Sequence, residues 1–156
     1  MPSGFSRNGV QSISSALRGT PGPAVAFAAY RNAALTITLN ADVKIDLDTE
    51  QFDTHGWFAS GRFTPKLAGY YAVSGSLLFS SSGASWVGVW KNGAEYTRGT
   101  HFNTNGLGNS VSTVVYLNGG ADYVELYGRA GNSGALNVSS ADYVRMSGML
   151  VAAWPV

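Results

Sequence analysis

Strict alternation of apolar and polar residues is the feature of this 156-residue sequence that most constrains its fold. Leu35–Leu39 and Val43–Asp48 both alternate without a break. A period of two places every second side chain on one face of an extended strand, whereas the apolar stripe of a helix needs a period near 3.6. Further segments rich in Val, Tyr, Phe, Trp and Thr are typical of strands: Val25–Tyr30, Gly61–Thr64, Tyr70–Phe79, Ser85–Lys91, Val111–Leu117, Tyr123–Tyr127 and Val144–Ala152.

Turn-forming residues separate these strands. Asn-Gly pairs occur at Asn92–Gly93, Asn105–Gly106 and Asn118–Gly119, and such pairs favour tight hairpin turns. About ten short strands with such turns between them predict an all-β sandwich of the jelly-roll type. The chain has no cysteine, which excludes disulfides and thiolate metal sites, so the fold must rely on its apolar core.

The first 23 residues follow a different pattern. Apolar residues recur there at helical spacing, which is compatible with a short amphipathic helix at about 8–18. A mobile tail is the alternative, because a helix of this length is not stable in water unless it packs against something. The Pro/Gly segment 19–23 predicts a stiff linker. We expect an arm over residues 1–23 and a jelly-roll domain over 24–156. The candidate anchor residues of the arm are Arg7, Val10, Ile13, Leu17 and Arg18.

Composition and charge exclude several classes of function. Charged residues make up 12% of the chain and the net charge is +1, so no general attraction to nucleic acid is expected. No apolar stretch approaches the roughly 20 residues of a membrane-spanning helix. The N-terminal sequence also lacks the apolar core of a signal peptide. We therefore expect a protein that is made in the cytosol and does not insert into membranes.

Few residues are of the types that carry catalysis or bind metal. His55 follows Asp53 closely, which suggests a His–Asp pair, and His101 stands among Thr and Asn; neither belongs to a recognisable nucleophile motif. The carboxylates at 46–53 suggest a calcium site. Their alternation with apolar residues favours instead a solvated strand face. We predict no enzymatic activity, no cofactor and no metal.

Six motifs occur in the order in which the globular-head family of complement component 1q carries them. In chain order they are Ala26–Arg31, Phe52–Thr54, Gly61–Tyr71, Lys91–Gly93, Leu117–Leu126 and Met146–Leu150. The last resembles a closing Phe-Ser-Gly-Phe-Leu with Met in both Phe places. The resemblance covers about residues 24–152 and extends to the related tumour necrosis factor fold.

This resemblance implies a ten-stranded jelly roll that forms tight homotrimers, with one sheet around a threefold axis and outer loops that bind partners. The Phe-Thr-Pro at 63–65 and Ala-Gly-Tyr-Tyr at 68–71 resemble copies in bacteriophage virion proteins such as head or tail fibres, spikes and capsid decorations. The implied setting is a virion assembled in the host cytoplasm, joined to other virion proteins through the arm. The residues expected to pack the core or the trimer are Phe27, Tyr30, Phe63, Gly69, Tyr71, Trp90, Gly148 and Met149.

Several of these residues also carry a direct physical expectation. Phe63 and Tyr71 should pack from adjoining strands, with a partner for the tyrosine hydroxyl if it is buried. Gly69 is expected to permit a backbone turn. Gly148, inside an apolar strand, predicts a bulge or a closely approaching neighbour.

Two alternatives to a purely structural role stay open. The loops His101–Asn109 and Arg129–Asn137 are rich in Asn, Ser and Gly and suit recognition of a host receptor or glycan, although ordinary solvated loops share this composition. Trp86 and Trp90 share one strand face, which favours packing over a sugar-binding platform. The other alternative is a secreted ligand of the tumour necrosis factor kind. The candidate binding residues are His101, Asn103, Asn105, Asn109, Arg129 and Asn132.

Overall fold

The computed structural model describes residues 24–131 and 143–154, which form nine strands and no helix. The predicted arm, with its possible helix at about 8–18 and all its anchor residues, lies outside the described residues. The strands are β1 (Ala26–Tyr30), β2 (Val43–Lys44), β3 (Thr49–Asp53), β4 (Phe58–Ala59), β5 (Arg62–Phe63), β6 (Ala68–Lys91), β7 (Ala94–Asn118), β8 (Val124–Ala130) and β9 (Arg145–Ala153).

Strands β6 and β7 form one long hairpin that contributes to both layers of the molecule. Its turn at Asn92–Gly93 has both residues in the left-handed conformation (φ 52° and 80°), as a type I′ turn requires, which confirms the predicted turn. The pairing register shifts between Leu78 and Ser85, where the hairpin folds back on itself. Thr97 and Thr113 of β7 consequently have hydroxyls 3.1 Å apart, although a straight strand would separate them by about 50 Å.

The fold-back divides the strands between two antiparallel sheets. In the first sheet the order is β3, β1, β9, the N-terminal half of β6 and the C-terminal half of β7. The second sheet pairs the remaining halves of β6 and β7, and β6 pairs there with β8. Strand β8 also borders β2 and β5, and β5 pairs with β4. The predicted all-β jelly-roll fold is thereby confirmed.

Aromatic side chains from both sheets meet in the core. Phe27 of the first sheet stacks on Phe63 of the second, with ring centroids 4.3 Å apart. Phe63 also meets the edge of the Tyr71 ring at 5.6 Å, and the Tyr71 hydroxyl donates a hydrogen bond to the Leu67 carbonyl oxygen at 2.8 Å. Burial raises the pKa of Tyr71 to about 12. The predicted packing of Phe63 on Tyr71, with a bonded hydroxyl, is confirmed.

Two glycines of the first sheet allow close contact between neighbouring strands. A Cβ at Gly148 would lie 2.7 Å from the Phe27 ring and 3.1 Å from the Ala72 carbonyl oxygen, which confirms the predicted close approach. A Cβ at Gly69 would lie 2.5 Å from the Ala152 carbonyl oxygen. The predicted turn at Gly69 is wrong, because this residue lies inside β6, where its missing side chain makes room for β9.

The strand pattern differs from the prediction in several places. Leu35–Leu39 forms only an isolated bridge at Thr36, although Ile37 is buried in the core. Strands β3 and β4 and the first half of β7 were not predicted, and β6 joins two predicted strands into one. Alternation reports which side chains face the core, and an extended loop that packs on the core alternates as a paired strand does.

Candidate functional site

The outward face of the first sheet carries exposed apolar side chains in register. Val114 of β7 and Met149 of β9 flank Ala72 of β6 on its two sides, and they are 53% and 58% exposed. Beside them Tyr70, Tyr116 and Trp154 form an aromatic cluster with centroids 5.5 to 6.0 Å apart. We call this surface the apolar face; its residues are Phe52, Tyr70, Ala72, Val114, Tyr116, Met149, Val151 and Trp154.

The apolar face follows from the sequence of β6 itself. Its odd-numbered residues from Gly69 to Phe79 point inward, so that Tyr71 and Val73 are buried while Tyr70 and Ala72 face outward. Because the outward residues at this end of β6, Tyr70 and Ala72, are apolar as well, the end has the composition of a strand that is covered on both sides. A monomeric protein seldom leaves such a continuous patch in water. The face therefore has the character of an interface.

The same face becomes polar toward the end of the sandwich where the hairpin folds back, which we call the far end. Ser112, Ser74 and Ser147 lie in one row across three strands, and the Ser74 and Ser147 hydroxyls are 3.1 Å apart. Arg145 follows in the next row, opposite Ser76. Uncharged hydroxyls cost far less to bury than ions. From the aromatic cluster to Arg145 the face is thus compatible with contact between identical copies.

The predicted packing residues divide between the core and the faces. Phe27, Phe63 and Tyr71 are buried, and Met149 lies on the apolar face. Tyr30 is half-buried at the far end of β1. Sequence reasoning had missed the other members of the apolar face; the signal available for them was apolar residues at outward positions beside an apolar inward set, as at Tyr70 and Ala72 beside Tyr71 and Val73.

On the outward face of the second sheet, charged and aromatic side chains contact one another in ion pairs and ring stacks. Glu125 is 2% exposed and lies 3.0 Å from Arg62 and 3.2 Å from Lys44. Trp90, a predicted packing residue, stacks on Tyr127 with centroids 4.0 Å apart. We call this surface the paired face; its residues are Lys44, Arg62, Trp86, Trp90, Arg98, Tyr123, Glu125, Tyr127 and Arg129.

Two of the predicted binding residues, His101 and Arg129, come together at the far end of the paired face; the prediction that they lie in loops is wrong, because they belong to β7 and β8. Trp86 of β6 lies opposite His101 of β7 on one side and opposite Arg129 of β8 on the other. All three therefore share one face, and Asn103 lies exposed further along β7. Trp86 and Trp90 also share this face, with both rings packed as predicted.

The remaining predicted binding residues do not join this group. Asn109 is buried, and its side chain accepts a hydrogen bond from the Ser85 hydroxyl at 3.0 Å and donates one to the Thr100 carbonyl oxygen at 3.1 Å. Its amide thus joins strands inside the protein, where no partner can reach it, so we remove it from the candidate binding surface. Asn132 and the Asn105 side chain lie outside the part of the molecule that the structure describes.

The His55 ring pairs with Thr54 rather than with Asp53. Its Nδ1 lies 2.8 Å from the Thr54 hydroxyl, and the ring packs on Trp57 with centroids 4.5 Å apart. The Asp53 carboxylate instead accepts hydrogen bonds from the backbone amides of His55 at 3.0 Å and Phe58 at 2.6 Å. This carboxylate closes the loop before β4, and the geometry of a catalytic His–Asp pair is not formed here.

Of the carboxylates considered for calcium, Asp46 and Asp48 lie in the loop before β3, and Glu50 and Asp53 lie in β3. Asp48 accepts hydrogen bonds from the backbone amides of Asn32 at 2.7 Å and Ala33 at 2.9 Å. Although desolvation opposes it, these bonds, the Thr49 hydroxyl and the charge of Arg31 hold the pKa of Asp48 below its usual range. Among residues 24–131 and 143–154, no cluster of three or more His, Cys, Asp or Glu side chains is arranged to hold a metal ion. The same ranges contain no helix with the length and hydropathy of a membrane span.

Solved structures of other proteins share this fold. The globular domain of a zebrafish complement 1qA protein aligns with a TM-score of 0.59 at 17% identity, over 82% of this chain and 97% of that one. An Eiger TNF from S. frugiperda aligns with a TM-score of 0.65 at 11% identity, over 86% and 97%. The PRD1 vertex protein P5 aligns with a TM-score of 0.57 at 11% identity, over 82% and 96%.

The resemblance predicted from the sequence is thus confirmed for the fold. The chain has the jelly roll seen in complement 1q heads, in tumour necrosis factor ligands and in a phage vertex protein. No protein-family model and no curated protein matches the sequence. A shared fold does not specify a function; the function of this chain depends on the side chains of the apolar face and the paired face.

Proposed function

We propose that this chain is a non-enzymatic structural protein of a bacteriophage virion and that it assembles as a homotrimer through the apolar face. The observation that carries the proposal is the first sheet, which at the end that carries Tyr70, Val114 and Met149 is apolar on the outward side as well as toward the core. Burying these side chains against other copies would remove them from water, the main driving force of association. A surface that must meet identical copies of itself also benefits from carrying few charges, since like charges would repel.

Closed cyclic symmetry is the usual way in which identical subunits cover such a surface. A threefold arrangement is what the motif resemblance implies, and the shared jelly-roll fold is compatible with it. The bend of the long hairpin leaves the paired face on the opposite side of the sandwich, where it would stay accessible in the trimer. Assembly and contact with other molecules would then use different faces.

The virion setting is the finer part of the proposal. It is supported by the fold shared with the PRD1 vertex protein and by the phage-like motifs at 63–65 and 68–71. We propose that the arm over residues 1–23 joins the domain at 24–156 to other virion proteins. The anchor would be the apolar stripe and two cations of the arm: Arg7, Val10, Ile13, Leu17 and Arg18.

Oligomeric mass tests the assembly step. Light scattering on the full chain should give three times the 16.4 kDa subunit mass at micromolar concentration. Val114→Arg places a charge at the centre of the apolar face and should yield folded monomers. Leu39→Arg is the matched control, because Leu39 is 50% exposed but lies outside the apolar face, and this variant should remain trimeric. A wild-type chain that runs as a monomer would refute the assembly proposal.

Particle incorporation tests the virion setting. In the full chain, replacing Val10, Ile13 and Leu17 by Ser should leave a trimer of normal mass that is missing from purified particles by mass spectrometry. Replacing Ser3 and Ser6 by Ala controls for mere alteration of the arm and should leave incorporation unchanged. If the triple variant is incorporated as well as the wild type, the arm stripe is not the anchor.

A second candidate function is recognition of a host surface at the far end of the paired face. It is favoured by the position of Arg129 and His101 on the two sides of Trp86. Purified wild-type trimers should then adhere to host cells, and Arg129→Gln should reduce the adhesion. Wild-type trimers that do not adhere would leave the structural role alone.

A further inference from the structure

A cavity of about 310 Å³ opens at the far end of the paired face. It lies between β6, β7, β8 and the loop before β2, on the side of the sandwich opposite the apolar face. The lining residues with polar or aromatic side chains are Asn40, Ser85, Trp86, Arg98, His101 and Arg129. Small binding sites in proteins have volumes from about 300 Å³ upward, so this cavity has room for one small ring.

Trp86 forms the fixed centre of the cavity. Its side chain is 3% exposed, and its ring lies against Gly88, where an added Cβ would come within 3.0 Å of the indole. The Arg98 guanidinium lies over the ring, 4.1 Å from its centroid. A cation held on an aromatic face loses little further freedom when it binds a ligand.

Both charged residues that line the cavity are arginines. Glu95 binds Arg98 through Nε at 3.0 Å and Nη2 at 2.6 Å, and Asp42 binds Arg129 through Nη1 at 3.3 Å. Neither of these carboxylates lines the cavity. Since a guanidinium has five N–H donors, each arginine keeps donors for a further acceptor.

We infer that this cavity binds the carboxylate of an acidic sugar. Two guanidinium groups are the donors that proteins prefer for planar oxyanions, because both N–H bonds can be made at once. The Asn40 and His101 side chains supply further polar groups for ring hydroxyls. A carboxylate carried by an apolar ligand is disfavoured. The rest of such a ligand would find little apolar surface here, because the Arg98 guanidinium covers the face of the Trp86 ring. A net charge of +1 disfavours nucleic acid.

The inference rests on the second candidate function and names its ligand class. Titration calorimetry on the full chain would compare tri-galacturonate, its methyl ester, inorganic phosphate and a short single-stranded DNA. We expect tri-galacturonate to bind and its methyl ester to bind at least about tenfold more weakly, since esterification removes a charge-assisted hydrogen bond. Equal binding of the ester would overturn the carboxylate claim. Phosphate or DNA binding as tightly as the sugar acid would overturn the sugar claim.

Charge-matched variants locate the site. Arg129→Gln and Arg98→Gln should each weaken tri-galacturonate binding about tenfold, while Lys66→Gln at the opposite end of the sandwich should leave it within about twofold. Arg129→Gln is the decisive variant, because the ion pair of Arg129 with Asp42 is exposed and its loss should cost little stability. If Lys66→Gln weakened tri-galacturonate binding equally, the binding would reflect general electrostatic attraction to cations, and the inference would be overturned. Trimers that adhere to host cells but ignore acidic sugars would overturn the inference alone and leave the recognition function standing.

Discussion

The two outward faces of the sandwich are covered in different ways, although both use the same long hairpin. On the paired face, Arg98 covers Trp86, and Arg62 and Lys44 together hold Glu125. On the apolar face, Val114 and Met149 leave more than half of their surface exposed. The charged groups of the paired face form ion pairs within the chain. The apolar face has the composition of a surface that a second molecule covers.

The difference shows how a chain with few charges can use them. Only 12% of the residues are charged, and the paired face concentrates several of them in ion pairs and over aromatic rings. The apolar face is left neutral as far as Arg145. Such a division lets one side of the sheet sandwich pack against copies while the other keeps its own structure in water. The following experiments are ordered by the size of the effect we expect.

The largest effect on folding should come from the buried carboxylate of the paired face. Glu125→Ala removes the buried partner that Arg62 and Lys44 share, and because both cations keep access to water (43% and 31% exposed), we expect a loss of about 2 kcal/mol in the free energy of unfolding, measured with urea. Glu95→Ala removes an exposed partner of Arg98 and should cost less than about 1 kcal/mol. If the two variants lost equal free energy of unfolding, burial of the Glu125 ion pairs would not be what stabilises the paired face.

Two adjacent tyrosines give a smaller and sharper contrast between the core and the apolar face. Tyr71→Phe removes the part-buried hydrogen bond to the Leu67 carbonyl oxygen, so we expect a loss of about 1 kcal/mol in the free energy of unfolding. Tyr70→Phe, on the apolar face, should change the free energy of unfolding by less than about 0.5 kcal/mol. Urea unfolding of both variants would contradict the assignment of faces if Tyr70→Phe were the more costly.

The raised pKa of Tyr71 predicts a further loss of stability in alkali. Because the folded protein holds this proton up to a pKa of about 12, its contribution is complete below the usual tyrosine value of about 10. It is lost as pH rises from about 10 toward 12, where the unfolded chain ionises first. Urea unfolding between pH 9 and 11 should therefore show a steeper decline for the wild type than for Tyr71→Phe. Parallel declines would contradict the burial of this hydroxyl.

The smallest effect should appear in the apolar face of the dissociated subunit. At concentrations low enough to dissociate the proposed trimer, the free energies of unfolding of Met149→Ser and Leu39→Ser should both lie within about 0.5 kcal/mol of the wild-type value. At higher concentrations only Met149→Ser should have a lower melting temperature than the wild type, because assembly stabilises the folded state by mass action. If both variants behave alike at every concentration, the apolar face is an ordinary exposed surface.

Local patterns in the sequence were sufficient for much of the fold. The Asn92–Gly93 turn follows from two residues that tolerate the left-handed conformation, and the contact of Phe63 with Tyr71 follows from aromatic residues on adjoining strands. The role of Gly69 was misjudged, since a glycine inside a strand and a glycine in a turn look the same along the chain. Leu35–Leu39 was misjudged for a similar reason, because alternation reports burial and not strand pairing.

The candidate sites depended far more on tertiary contacts. Arg98 and Arg129 are 31 positions apart in the chain, and only the pairing of β7 and β8 with β6 brings them to one cavity. The all-β class, the Asn92–Gly93 turn and the absence of disulfides could be predicted from the sequence, because they depend on periodicity and residue type. The tertiary structure alone decided which outward face is paired and which is apolar, because that depends on where the long hairpin folds back and which distant side chains it meets.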